Sequence, residues 1–185
     1  MFNFSNVKKE VKTESCCSST TDICSTGVEN SNEGDNCCTP QPKGKVVCPS
    51  CGEKAKGVLG KTLNALLTED AKKGLSCLDG FYYCTTTTCE IVYFRDETIL
   101  TQKDLSVVVG LKEGATPATV CYCFEWTKEK ITEELLKTGE TIALTDIKAK
   151  MENPGCACEV LNPSGGCCLG DVTKEIKTLK KELEL

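Results

Sequence analysis

The chain has no histidine among its 185 residues, and this absence excludes several kinds of chemistry. Without an imidazole there is no histidine general acid or base, no Ser-His-Asp triad and no histidine-ligated metal. Aromatic residues make up only 5% of the chain and apolar residues 39%, so the material for a core is limited. A small domain of this kind often needs a disulfide or metal as a staple.

Long apolar runs and an excess of positive charge are also missing. No run reaches the roughly 18 apolar residues of a membrane span, and the segment from Met1 to Thr13 lacks the apolar stretch of a secretory signal. The net charge of −5 offers no basic field to replace phosphate counterions, which argues against nucleic-acid binding. We therefore expect a cytoplasmic protein whose thiols stay reduced.

Cysteine, by contrast, is abundant, with 16 residues in the chain. Such a share is typical of a cross-linked or metal-bound scaffold, and in a reducing compartment it indicates metal sites more often than disulfides. We therefore interpret the cysteines as thiolate ligands. They fall into three groups along the chain.

The first group lies in residues 1–45, which are rich in Ser, Thr, Asn, Glu and Gly and are predicted to be a disordered tail and linker. Adjacent thiols on such a chain can capture a soft ion such as Cu(I) or As(III). The simpler interpretation is a solvated linker with incidental thiols. The cysteines of the tail are Cys16, Cys17, Cys24, Cys37 and Cys38.

The second group predicts a zinc site. Cys48 and Cys51 form a Cys-x2-Cys turn followed by Gly52, which is typical of a zinc knuckle, and a tetrahedron of four thiolates needs a second pair. The candidates are Cys84 and Cys89, between aromatic, β-prone stretches at residues 81–83 and 91–94. This arrangement is typical of a zinc ribbon. The remaining Cys77 is expected to be a small apolar residue in a partly buried loop.

Several further elements are predicted in this region. Leu63, Leu66 and Leu67 indicate one or two short helical turns, which end at Gly74. Strands are predicted at residues 98–100 and 107–109, with Thr101 capping a helical turn over residues 102–105. The glycines and proline that follow place a module boundary near residues 112–119.

The third group predicts an iron–sulfur site. The spacing of Cys121 and Cys123 suits two ligands on one iron, and a [2Fe–2S] cluster takes four thiolates. Six cysteines are available in this region. The second iron takes one sulfur from Cys156 or Cys158 and one from Cys167 or Cys168.

Helices separate these cysteines. Thr127 is predicted to cap a helix that ends at Gly139, and a second helix is expected from about Thr141 to Met151. Asp171 is predicted to cap a last helix. The fold class is therefore α+β, with a zinc-ribbon-like β module at residues 46–115 and a mostly helical cluster module at residues 116–185, after the tail at residues 1–45.

The order of these motifs resembles a known family. Phe-Tyr-Tyr-Cys-x4-Cys-Glu-Ile-Val-Tyr-Phe is followed by Val-Cys-Tyr-Cys and then by Cys-Glu-Val-Leu-Asn-Pro-Ser-Gly-Gly-Cys-Cys. Residues 46–183 resemble the N-terminal region of CopZ-type copper chaperones, and the cluster part resembles bacterioferritin-associated ferredoxin. The resemblance implies zinc ligation by Cys48, Cys51, Cys84 and Cys89. It implies [2Fe–2S] ligation by Cys121, Cys123, Cys158 and one of Cys167 and Cys168, of which Cys168 is favoured.

The full copper chaperones of that family end in a copper domain with a Met-x-Cys-x-x-Cys loop, which this sequence does not contain. The vicinal pairs Cys16–Cys17 and Cys37–Cys38 are therefore candidates for a substitute soft-metal site. We predict no enzymatic activity and expect copper handling or one-electron redox, with Cu(I) and a copper-transporting ATPase or a redox protein as partners. The alternative is a structural or regulatory [2Fe–2S] module that docks to a partner protein and senses metal or redox state for it.

Overall fold

The computed structural model describes residues 45–185, and all of them belong to one compact unit. The predicted tail, with its five cysteines, lies outside the described residues. Within residues 45–185 no helix has the length and apolar character needed to cross a bilayer. The mixture of helices with a small antiparallel sheet confirms the α+β class.

A four-stranded antiparallel sheet organises the first part of the described chain. Its strands, in spatial order, are β1 (Lys56–Gly57), β2 (Tyr82–Tyr83), β3 (Ile91–Arg95) and β4 (Thr98–Thr101). The central strand β3 is buried from Ile91 to Phe94, and its run of apolar and aromatic residues made it predictable from the sequence. A two-residue turn joins β3 to β4, with Asp96 at a φ of 50°.

Short helices cover this sheet. Helix α1 (Gly60–Leu66) buries Leu63 and Leu66. Helix α2 (Glu69–Lys73) is capped by Thr68, whose hydroxyl accepts a hydrogen bond from the amide of Ala71. The predicted helical turns and the end at Gly74 are confirmed. The apolar core between these helices and the sheet is formed by Val58, Leu63, Leu67, Phe81, Tyr83, Val92, Tyr93, Leu100, Leu105 and Val109.

One predicted strand is absent. Thr101 caps a 3-10 turn over Gln102–Asp104, as expected, but residues 107–109 form no strand. The side chain of Gln102 bonds the backbone there, donating to the carbonyl of Val107 and accepting from the amide of Val109. The carbonyl of Val107 and the amide of Val109 therefore have hydrogen-bond partners without a neighbouring strand. The three consecutive valines favoured a strand prediction that is wrong.

The second part of the described chain is mostly helical. A hairpin of β5 (Thr119–Cys121) and β6 (Trp126–Thr127) leads into α3 (Lys128–Thr138), which Thr127 caps and which ends at Gly139 with φ of 75°, as predicted. The other helices are α4 (Ala143–Glu152), α5 (Cys158–Leu161) and α6 (Leu169–Glu182).

The start of α6 corrects a prediction. Asp171 is not the N-cap, because the helix begins at Leu169 and Cys168 occupies the cap position. Asp171 instead lies in the first turn, where a carboxylate is favoured by the helix dipole. Helix α5 was not predicted, since four residues are too few to show a periodic apolar pattern.

Hydrogen bonds join the sheet and helical parts. The hydroxyl of Tyr93 donates to the carbonyl of Pro163 at 2.7 Å, and both residues are fully buried. On α1, the hydroxyl of Thr62 donates to the carbonyl of Glu159 on α5 at 2.5 Å. The loop after α5 therefore rests on the sheet part. The predicted boundary between two modules stays a prediction.

We expect Tyr93→Phe to lower the free energy of unfolding by about 1–3 kcal/mol, because it leaves the buried carbonyl of Pro163 without its donor. Denaturant unfolding followed by the fluorescence of Trp126 measures this change. Tyr82→Phe is the matched control, since the Tyr82 ring stacks on Phe94 and keeps that contact. Equal stability of the two variants would contradict the prediction.

Candidate metal centres

Four cysteine sulfurs converge beside the loop that joins strands β2 and β3. The Sγ atoms of Cys48 and Cys89 are 3.8 Å apart, those of Cys51 and Cys84 are 3.7 Å apart, and all four lie within 4.8 Å of one another. A tetrahedral zinc with Zn–S bonds of about 2.3 Å places its sulfurs about 3.8 Å apart. The observed set therefore fits one such ion, with four thiolates and no open position.

The first cysteine pair lies on a closed turn. The amide of Gly52 donates to the carbonyl of Cys48 at 2.9 Å, and the amide of Cys48 donates to the carbonyl of Glu53 at 2.8 Å. Gly52 has a φ of 71°, a conformation that favours glycine, which explains the glycine after the Cys-x2-Cys motif.

The second pair lies in the loop between β2 and β3. The amide of Cys84 donates to the carbonyl of Val92, so this cysteine extends the sheet ladder. Cys84 and Cys89 are both buried against Ile91 and Phe94. The two strands thus fix where the loop begins and ends, as the alternation of aromatic residues and cysteines predicted.

Two of these thiols differ in acidity. The hydroxyl of Thr86, 3.3 Å from the Cys51 sulfur, is the main cause that lowers the pKa of Cys51 to about 6. Burial raises the pKa of Cys84 to about 12. One sulfur is therefore a thiolate at neutral pH, while the other gives up its proton as metal binds. Sequence reasoning missed Thr86 because nothing distinguishes it within a run of four threonines.

A second set of cysteines lies in the helical part. The sulfur of Cys121 is 3.0 Å from that of Cys168, and the sulfur of Cys123 is 3.6 Å from that of Cys158. Within residues 45–185, the Cys48 set is the only group of three or more potential ligand residues whose ligand atoms all lie within 4.8 Å. The second set is thus two close pairs and not one compact tetrahedron.

Neither short contact joins Cys121 to Cys123, and the expectation that these two cysteines share one iron stays a prediction. Both short contacts instead run between loops. Cys121 ends strand β5 and Cys123 lies in the turn after it, so the two side chains leave backbones of different conformation. The Cys121–Cys168 hydrogen bond lowers the pKa of Cys121 to about 7, and the same contact together with burial raises the pKa of Cys168 strongly.

Solvent exposure differs between the neighbouring cysteines that the sequence offered as alternative cluster ligands. Cys158 and Cys168 are buried, whereas Cys156 and Cys167 are exposed. Cys168 is 1% exposed and faces Cys121 because it caps the start of α6, while Cys167 precedes the helix and faces solvent. Cys77 is half-buried, and its carbonyl accepts a hydrogen bond from Arg95.

In the metal-free protein, we expect Cys51 to be alkylated with a pH midpoint near 6, because the Thr86 hydroxyl stabilises its thiolate. Thr86→Val should move the midpoint upward, toward the ordinary thiol value of 9.0. Iodoacetamide labelling at a series of pH values, with peptide mass spectrometry, gives both midpoints. Thr88→Val is the control, and a midpoint unchanged by Thr86→Val would contradict the prediction.

Comparison with known proteins finds similarity to CopZ proteins in both sequence and structure. Residues 45–106 match the zinc-binding domain of CopZ proteins. The copper chaperone CopZ of Archaeoglobus fulgidus is 37% identical over 123 residues, which are 65% of this chain and 57% of that protein. The crystal structure of the N-terminal domain of the same CopZ is 32% identical and superposes with a TM-score of 0.58, covering 70% of this chain and 96% of that one.

These similarities confirm the expected resemblance to CopZ and support Zn²⁺ as the metal of the first module. The similarity to bacterioferritin-associated ferredoxin stays a prediction. The chain spans 57% of the length of the curated relative, so it corresponds to part of that protein. By its zinc-binding domain and by the structure it shares with the N-terminal domain of the copper chaperone, the chain belongs to the CopZ family.

Proposed function

We propose that this protein handles metal in the cytoplasm with two centres, a structural zinc ion and a [2Fe–2S] cluster, and that its role is copper handling or one-electron redox. The observation that carries the proposal is the pair of short sulfur contacts, Cys121 with Cys168 and Cys123 with Cys158. It adds a second, differently shaped thiol site to the zinc-binding domain.

The zinc ligands in this proposal are Cys48, Cys51, Cys84 and Cys89. Four thiolates around one ion leave no position for water or substrate, which is typical of structural zinc. The ion would join the Cys48–Gly52 turn to the loop between β2 and β3. Its contribution is therefore to the fold, and we assign no enzymatic activity to it.

The cluster would be held by Cys121, Cys123, Cys158 and Cys168, and the close sulfur pairs favour Cys121 with Cys168 on one iron and Cys123 with Cys158 on the other. Two thiolates per iron is the requirement of a [2Fe–2S] cluster, which would supply reversible one-electron transfer when bound.

The loop before Cys168 has its own internal order. The side chain of Asn162 is 5% exposed, donates to the carbonyl of Gly166 at 2.7 Å and accepts from the amide of Ser164 at 3.1 Å. These bonds close residues 162–166 into a fixed turn between Cys158 and Cys168. The turn holds both cysteines in place before any metal binds, which lowers the entropy cost of assembling the site.

Copper enters the proposal through the relative, which is named a copper chaperone. Thiolates are the soft ligands that Cu(I) prefers. We propose Cu(I) as the handled ion, with a copper-transporting ATPase or a redox protein as partner. The vicinal pairs Cys16–Cys17 and Cys37–Cys38 are the proposed soft-metal site, since eight of the other cysteines are assigned to zinc and iron.

Anaerobic purification followed by metal and sulfide analysis should give about one zinc, two irons and two sulfides per chain, from the ligand counts of the two sites. Cys168→Ser should lose the visible absorbance and the electron paramagnetic resonance signal of the reduced cluster, because it removes a buried ligand. Cys167→Ser is the matched control and should keep both signals. Loss in the control alone, or an iron-free wild type, would overturn the cluster assignment.

Reduction experiments on the same preparation distinguish a redox role of the protein from a regulatory one. A cluster that is reversibly reduced and passes one electron to Cu(II) supports the redox role, while one that resists reduction by cellular reductants favours a module that docks to a partner.

Replacing Cys16, Cys17, Cys37 and Cys38 together by serine in the full chain should lower the number of Cu(I) ions bound per chain, because it removes the proposed soft ligands. Cu(I) titration against a chromogenic competitor measures this stoichiometry. Zinc and iron content should stay unchanged, since the substituted residues are not assigned to either centre. An unchanged Cu(I) stoichiometry would remove the tail site.

A further inference from the structure

Lys112 is not one of the proposed metal ligands, but it contacts the loop that carries two of the zinc ligands. Its ammonium donates to three backbone carbonyls, those of Cys84 at 3.0 Å, Thr86 at 2.9 Å and Ile91 at 2.8 Å. These carbonyls lie at the beginning, middle and end of the loop that carries Cys84 and Cys89. A lysine ammonium has three N–H donors, and here each has an acceptor.

The segment around Lys112 is itself fixed to the second set of cysteines. The Tyr122 hydroxyl, between Cys121 and Cys123, accepts from the amide of Gly110 at 2.8 Å and donates to the carbonyl of Val108 at 3.1 Å. Gly110 lies so close to strand β5 that a Cβ at this position would be 2.1 Å from the carbonyl oxygen of Thr119. Residues 108–112 thus contact the loop that carries Cys84 and Cys89, through Lys112, and the Cys121–Cys123 segment, through Tyr122.

We propose that Lys112 is a positioning residue for the zinc centre, and that residues 108–112 connect this centre to the Cys121–Cys123 loop through Tyr122. The inference rests on the proposed ligand sets. A zinc held by four thiolates carries a net charge of −2, and the ammonium places a positive charge beside the loop that supplies two of them. The three hydrogen bonds hold that loop in its ligating shape.

The shape of the lysine head matters beside its charge. An ammonium is compact and directs its donors to converging acceptors, whereas a guanidinium is a planar fork suited to paired oxygens. Three carbonyls that converge from one loop match the geometry of the ammonium. Lys112→Arg therefore keeps the charge and loses most of the geometry, which separates electrostatic compensation from positioning.

The test compares zinc affinity by competition with a fluorescent chelator in the full, iron-loaded protein. We expect Lys112→Met to weaken zinc binding about 10–100-fold, the range seen when groups that orient metal ligands are removed. Lys112→Arg should recover less than half of that loss on a logarithmic scale. Lys103→Met is the matched control, because Lys103 is an exposed lysine of the preceding 3-10 turn, and its affinity should equal the wild type.

Amide hydrogen exchange, measured on zinc-saturated protein, provides the second readout, because every variant then carries the same amount of zinc. Exchange in residues 84–91 should be faster in Lys112→Met than in Lys103→Met, while the core of α6 stays protected. Tyr122→Phe should speed exchange in residues 108–112, with Tyr82→Phe as control. The inference is overturned if Lys112→Met matches the control in both readouts, or if Lys112→Arg matches the wild type.

The experiments distinguish a failure of the zinc assignment from a failure of the role proposed for Lys112. The zinc content of the wild type tests the zinc assignment, whereas the ratio between variants tests the role of Lys112. Should the wild type bind no zinc, exchange in residues 84–91 of the metal-free protein still decides whether Lys112 holds the loop.

Discussion

The constraint on which the described structure depends is the mutual repulsion of thiolates that must lie close together. Two unit charges about 4 Å apart repel by about 4 kcal/mol at an effective dielectric constant near 20. Four thiolates at the separations of the Cys48 set therefore need a cation or protons between them. In the metal-free protein the local surroundings decide which thiols keep their protons, because the Thr86 hydroxyl lowers the pKa of Cys51 to about 6 while burial raises the pKa of Cys84 to about 12. A bound divalent ion removes this conflict and fixes the loops.

The rest of the fold supplies the rigid elements that carry those loops. In the sheet part, β2 and β3 hold the loop with Cys84 and Cys89, and the Cys48–Gly52 turn is brought against it. In the helical part, strand β5 ends at Cys121, α5 begins at Cys158, and Cys168 caps α6. These three cysteines lie at the ends of elements, whereas Cys123 lies in the turn between β5 and β6.

The two parts also depend on each other through polar contacts. The Tyr93 hydroxyl and the Thr62 hydroxyl hold the second cysteine-bearing loop on the sheet, and residues 108–112 reach from the zinc loop to Tyr122. A chain with 39% apolar residues has three small buried clusters in its described part, and not one large core. Specific hydrogen bonds and metal ligation then matter more to its order than they do in a protein with a large apolar core.

Much of this was determined by the sequence alone, because its signals were local. The aromatic stretches around Cys84 and Cys89, the Thr127 cap and the Gly139 terminus depend on near neighbours and were predicted, as was the convergence of the four cysteines now seen within 4.8 Å. Only the tertiary structure decided the rest. The missing strand at residues 107–109 depends on Gln102, a near neighbour whose side-chain hydrogen bonds give no periodic signal. The pairing of Cys121 with Cys168 and the contacts of Lys112 join residues that are tens of positions apart, and such contacts leave no local pattern in the sequence.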